Sequence, residues 1–176
     1  MRALADAQRI RRFMEGLAAE ARDDSRVYFT GGATAVLLGW RDSTIDVDLT
    51  LVPEQDALLR AIPPLKEALQ LNVELASPVD FIPVPPGWEN RSPFIARIGR
   101  LSFHHFDLYA QALAKVERGH AQDLADVREM LRRAVVDAPR ALEYFHRIEP
   151  QLYRYPAVDP GAFRRAVEMA FGPSAV

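Results

Sequence analysis

The chain contains no cysteine, which excludes disulfides and thiolate zinc sites and fits a reducing cytoplasm. Nowhere does it reach the ~18 consecutive apolar residues of a membrane span, so no membrane partner is expected. It lacks a dominant charge as well. Twenty-two Lys and Arg face 24 Asp and Glu, for a formal net charge of −2, so no global basic field exists to grip nucleic acid. Internal repeats and low-complexity tracts are absent. The first 24 residues alternate charged with apolar side chains and read as an amphipathic helix, not a signal peptide.

What is present is a normal globular composition. In 176 residues, 49% are hydrophobic, enough for one ordinary domain or a small core with a helical appendage. Ile10, Phe13, Met14 and Leu17 recur at helical spacing and predict a helix over 3–22. A strand-like run at 27–29 enters Gly31-Gly32, and residues 33–38 suit a short buried helix stopping at Gly39. Residues 45–52 alternate strictly, as a half-buried strand does. A helix is predicted from Glu54 to 69, with Pro63-Pro64 as a break or kink.

Strands are then predicted at 72–76 and 79–84, followed by a proline-rich loop over 83–93 and a hairpin of 94–98 and 101–106. Helices are predicted at 108–118, 121–134, 138–148 and 161–171, the last started by Asp159-Pro160. The expected plan is α+β: a mixed sheet flanked by helices over 1–107, then a helical tail over 108–176.

Two features carry chemistry. Gly31-Gly32, between strand and helix, lets the backbone approach a ligand while helix N–H groups face an anion. Asp46 and Asp48 stand two apart on a strand and project from one face. Two adjacent carboxylates repel, and Mg²⁺ would neutralise them while keeping positions for water and phosphate. The plainer reading of each is a tight turn and a solvent-facing strand. His104-His105 points its rings to opposite strand faces and so makes no joint metal site. Trp88 and Arg91, in the proline-rich loop, are either base contacts or locally packed.

Taken together, Thr30-Gly31-Gly32, a short apolar helix, Arg41, Thr44 and the strand Asp46-Val47-Asp48 resemble the nucleotidyltransferase superfamily. Its pattern is an apolar residue, Gly, Gly or Ser, a spacer, and aspartate–x–aspartate/glutamate; Thr30 departs from it in being polar. The tail from Asp107 through Ala114-Lys115, Arg118, Gln122-Asp123 and Asp126 resembles helical segments of nucleotidyltransferase-like proteins of abortive-infection and toxin–antitoxin type. Gln122 stands there in place of the usual base. The two resemblances cover residues 27–132.

The resemblance implies a nucleotidyltransferase-like α+β fold. It also implies one or two Mg²⁺ on Asp46 and Asp48, a nucleoside triphosphate as substrate, and a third carboxylate from a later strand. Asp80 is the first choice for that third residue and Asp107 the second. Thr30, Gly31, Gly32 and Arg41 would meet the phosphates. Lys115 and Arg118, three apart on one helix face, would either join them or pair with Asp123 and Asp126 across a helical hairpin. The implied acceptor is a protein, RNA or small-molecule hydroxyl, and an antitoxin-type partnership with a protein toxin is in view. The alternative is an inactive nucleotidyltransferase fold that binds a protein partner. Oligomeric state, a homo-oligomer included, stays open.

Overall fold

The structure, a computed structural model, describes residues 3–173. Two compact units divide it: residues up to Ser77 with Ser92–Phe106, and Pro78–Arg91 with the chain from Asp107 onward. Sequence patterning sets the expected division at 107. Pro78–Arg91 instead groups with the helices.

In the first unit, Asp6 caps helix α1 (Ala7–Glu20) by accepting the Arg9 N–H at 2.8 Å. The helix starts later than the predicted residue 3 because Ala5–Asp6 forms a short strand, β1, that pairs with β3 (Ser43–Thr44). Strand β2 (Ser25–Thr30) leads through Gly31 into α2 (Gly32–Leu38), and β4 (Asp46–Val52) into α3 (Asp56–Leu69). Helix α3 runs through Pro63 and Pro64 without ending there. Strand β5 (Asn72–Leu75) and the hairpin of β6 (Phe94–Ile98) and β7 (Leu101–His105) complete a five-stranded sheet of order β5-β4-β2-β7-β6. It is mixed: β2 runs antiparallel to β4 and parallel to β7, and β4 is parallel to β5.

Alternation then sorts the sheet's two faces. Val27, Phe29, Val47, Leu49, Leu51, Val73, Leu101 and Phe103 share one buried cluster with Ile10, Phe13 and Leu17 of α1, Val36 of α2 and Leu58 of α3. Fully burying such side chains contributes roughly 1.5–3 kcal/mol each. The intervening positions Thr30, Asp46, Asp48 and Asn72 are left half-buried on the opposite face.

His105 lies in that apolar layer, 4% exposed. The Thr34 hydroxyl donates to the Phe29 carbonyl (3.3 Å), so the 3.0 Å contact between His105 Nδ1 and Thr34 Oγ1 requires Nδ1–H as donor. Burial, with a smaller effect of neighbouring His104, lowers the imidazole to about 4 from 6.5. The unfolded chain therefore takes up a proton below 6.5 that the folded chain refuses until about 4, and stability falls as pH drops across that window. A drop from 6.5 to about 4 at 1.36 kcal/mol per unit sets a ceiling of about 3 kcal/mol. Urea unfolding at pH 7 and pH 5 should show roughly half to two-thirds of this loss in the wild type, because pH 5 crosses only part of the window, and His105→Gln should flatten most of it.

The second unit holds α4 (Leu108–Arg118), α5 (Ala121–Arg132), α6 (Ala138–Ile148) and α7 (Pro160–Phe171). Asp107, Asp137 and Asp159 cap three of them through side-chain bonds to backbone N–H groups. Ala141, Tyr144, Phe145 and Ile148 form the buried stripe of α6, and Phe145 meets Phe163 of α7 edge-on at 5.0 Å between centroids. Residues 79–84 do not form the predicted strand. Pro78–Asp80 is a turn of 3₁₀ helix, and Ile82 and Pro83 are buried beyond it. The apolar alternation there reflects burial of single residues, not a ladder.

Candidate active site

The site builds on the first unit's sheet. In the antiparallel β2–β4 pair Thr30 stands opposite Asp48, and in the parallel β4–β5 pair Asp48 stands beside Glu74. Thr30, Asp48 and Glu74 therefore form a row across three adjacent strands, on one face, about 4.8 Å apart from strand to strand. One pleat along, Asp46 stands beside Asn72. The Asn72 amide donates to Asp46 Oδ1 and, at 3.3 Å, to Glu74 Oε1, so one neutral donor bridges two of the carboxylates.

The two glycines serve different needs. Gly31 has φ 64 and ψ −131, and a Cβ there would stand 3.2 Å from Asp48 Oδ2. Backbone and carboxylate thus meet closely only because no side chain intervenes. Gly32 is required sterically, since a Cβ would fall 1.9 Å from Thr44 Oγ1. That hydroxyl donates to the Asp46 carbonyl at 3.1 Å, which ties the start of β4 against the start of α2. Arg41 lies three residues beyond the end of α2, and its backbone N–H bonds to the Ala35 carbonyl at 3.3 Å. Thr30, Gly31, Gly32, Asp46 and Asp48 accordingly lie on adjoining segments of one sheet end.

Hard carboxylate oxygens suit Mg²⁺, which keeps several waters and is commonly held by one or two carboxylates plus substrate phosphates. Asp46 and Asp48 fit that requirement in kind and in facing. As the side chains stand, no group of three His, Cys, Asp or Glu among the described residues is placed to hold a metal ion. Glu74 escaped sequence reasoning although a signal was available: Asn72-Val73-Glu74 repeats the polar–valine–acid pattern of Asp46-Val47-Asp48. Only the strand pairing reveals that the two acids are neighbours.

Other candidates change character. Asp80, exposed in its 3₁₀ turn, is not the strand carboxylate that its selection assumed. Asp107, fully buried, is engaged three ways. It accepts from the Tyr109 N–H (3.0 Å), from Arg91 Nε (2.8 Å) and from the Tyr144 hydroxyl (3.0 Å). Arg91 also donates to the Pro85 and Pro86 carbonyls, so it fastens the proline-rich loop to α4.

Lys115 is buried, with Nζ 2.8 Å from Asp126 and 3.8 Å from Asp123. Arg118 grips Asp123 with Nε at 2.8 Å and Nη2 at 2.6 Å. Pairing across the helical hairpin is therefore what occurs. Burial alone would raise the Asp123 carboxyl; the bonds and charge of Arg118, with Lys115, hold it below the usual carboxylate range. Gln122, where the resemblance led to a base, donates to Asp126 at 3.3 Å.

An α+β domain whose mixed sheet carries paired carboxylates beside a glycine turn is built as a nucleotidyltransferase-like protein. The chain belongs to the family described as "Nucleotidyltransferase of unknown function (DUF6036)", which matches residues 8–155. No curated protein and no solved structure matches it significantly. Among the described residues no helix is long and apolar enough to cross a membrane.

Proposed function

We propose that this chain transfers a nucleoside monophosphate from a nucleoside triphosphate to an acceptor hydroxyl, with Asp46 and Asp48 as the metal-holding residues. The observation that supports this most is the row Thr30–Asp48–Glu74 with Asp46 one pleat away, beside the Gly31 turn. One or two Mg²⁺ ions bound there would supply charge neutralisation of the triphosphate and polarisation at its α-phosphorus. Thr30 and the Gly31-Gly32 backbone would orient phosphate oxygens, and Arg41 would add positive charge.

Glu74, in register with Asp48, replaces Asp80 as third carboxylate in this reading and takes the proton of the acceptor hydroxyl. The acceptor oxygen bonds to the α-phosphorus, the bond from that phosphorus to the bridging oxygen breaks, and pyrophosphate leaves with the electron pair. The acceptor is an RNA 3′ end, a protein hydroxyl or a small molecule.

A second reading is an inactive nucleotidyltransferase fold that holds a protein partner, such as the toxin of a toxin–antitoxin pair. The Asn72 amide on Asp46 favours it, because it offsets part of the carboxylate charge without a metal. Incubation with Mg²⁺, α-labelled nucleotides and RNA or protein acceptors separates the two. Label transfer that Asp46→Asn, Asp48→Asn and Glu74→Gln abolish supports the enzyme. No transfer by the wild type to any acceptor, with a partner protein bound stoichiometrically, sinks it.

A further inference from the structure

The helical unit has a pocket of about 360 Å³ lined by Arg91, Tyr109, Arg140, Glu143, Tyr144 and Arg147. Four of the six come from α6, where positions 140, 143, 144 and 147 share one helix face. Three guanidinium groups face one carboxylate. Arg91 and Tyr144 are engaged by Asp107. The Tyr109 and Tyr144 rings stack with centroids 6.1 Å apart, and Arg91 and Arg140 lie over them at 5.6 and 5.5 Å. Each ring thus has a neighbouring ring and a cation already, and hydrogen bonding is what the pocket has left to offer.

Apart from Glu143, its remaining groups are donors. Arg140 is positioned by the Tyr109 ring without using its N–H groups on an acid, and Arg147 is exposed. Among the described residues neither forms a salt bridge. The Tyr109 hydroxyl accepts the Asp137 N–H at 3.1 Å, which leaves its own hydrogen for a ligand. Two guanidinium forks and a phenol O–H call for a ligand that only accepts and carries negative charge, and phosphate oxygens match guanidinium forks bidentately. The volume lies in the range of small-molecule pockets and exceeds what inorganic phosphate alone fills.

The geometry points to a second ligand site on α6 and the start of α4, for a phosphate monoester about the size of a nucleoside monophosphate. It stands independently of the carboxylate site. Glu143 on the same face weakens a dianion's binding and so gives the site a lever.

Titration of the full chain in EDTA with AMP, inorganic phosphate and adenosine tests this, followed by isothermal calorimetry. AMP should bind, phosphate should compete more weakly, and adenosine should not bind. Arg140→Ala with Arg147→Ala should lower AMP affinity tenfold or more, at about one charge-assisted bond or more per arginine. Glu143→Gln should tighten it roughly two- to fivefold. Both arginines are exposed, so the double variant should melt like the wild type. The proposal is overturned if AMP and phosphate fail to bind at millimolar concentration, if adenosine binds as well as AMP, or if the arginine variants leave affinity unchanged. It is overturned as well if Asp46→Asn, but not the arginine variants, removes AMP binding. Its failure leaves the label-transfer result untouched, and the converse holds.

Discussion

Asp48→Asn should reduce nucleotidyl transfer by ~10³-fold while leaving the thermal midpoint unchanged or slightly higher. Asparagine keeps the shape of aspartate and its ability to bond to neighbouring donors, so the change removes charge and little else. In the sheet Asp48 stands beside Glu74 and two residues from Asp46 on the same face. Like charges at adjacent sheet positions are destabilising by a few tenths to about 1 kcal/mol, and neutralising one relieves that repulsion. Activity moves the other way, because removing a group that organises charge at the reacting phosphate costs ~10²–10³-fold or more.

A merely structural aspartate would show the reverse: little change in rate and a loss of stability. A Mg²⁺ titration followed by thermal melting supplies a readout independent of turnover. Ligand binding to the folded state alone raises stability in proportion to RT ln(1 + [L]/Kd). Wild-type chain should gain stability with added Mg²⁺ and Asp48→Asn should gain much less; equal gains would remove Asp48 from the metal site.

Lys115→Met should destabilise the protein by about 3–5 kcal/mol, the usual cost of removing one partner from a buried ion pair. The Lys115 side chain is 7% exposed and that of Asp126 is 1% exposed. Without the ammonium group the Asp126 carboxylate loses its charge partner, and the neutral Gln122 amide at 3.3 Å does not replace it. It stays buried while losing the cation that stands 2.8 Å from it. Asp123 suffers less, because Arg118 still grips it with two bonds.

Chemical denaturation of Lys115→Met at pH 7 measures the loss. The double variant Lys115→Met, Asp126→Leu should recover most of it, since replacing both partners removes the unpaired charge. A loss under ~1 kcal/mol for the single variant would place Lys115 among exposed lysines and reopen its assignment to phosphate. Against a typical total stability of ~5–15 kcal/mol, the expected loss is enough to lower yield of folded chain.

The elements that depend on local pattern were legible in the chain. The glycine turn, the alternating strand at 46–52, the hairpin around Gly99-Arg100 and the four tail helices follow from periodicity, caps and breakers acting within a few residues. The Asp46/Asp48 pair was legible for the same reason, because strand period alone puts both on one face. The strand expected at 79–84 failed because proline-flanked apolar residues can be buried one by one, as Ile82 is, without any partner strand.

What the sequence determined by itself is the set of parts: an α+β chain, a glycine turn, and two acids on one strand face. The tertiary structure alone decided which distant residues meet. Parallel pairing of β5 with β4 brought Glu74 beside Asp48, and Asp80 lies in a 3₁₀ turn instead of a strand. Packing of α5 on α4 buried Lys115 against Asp126. Strand register and helix packing couple residues 26 and 11 positions apart, and no periodicity written along one segment encodes the partner found on another.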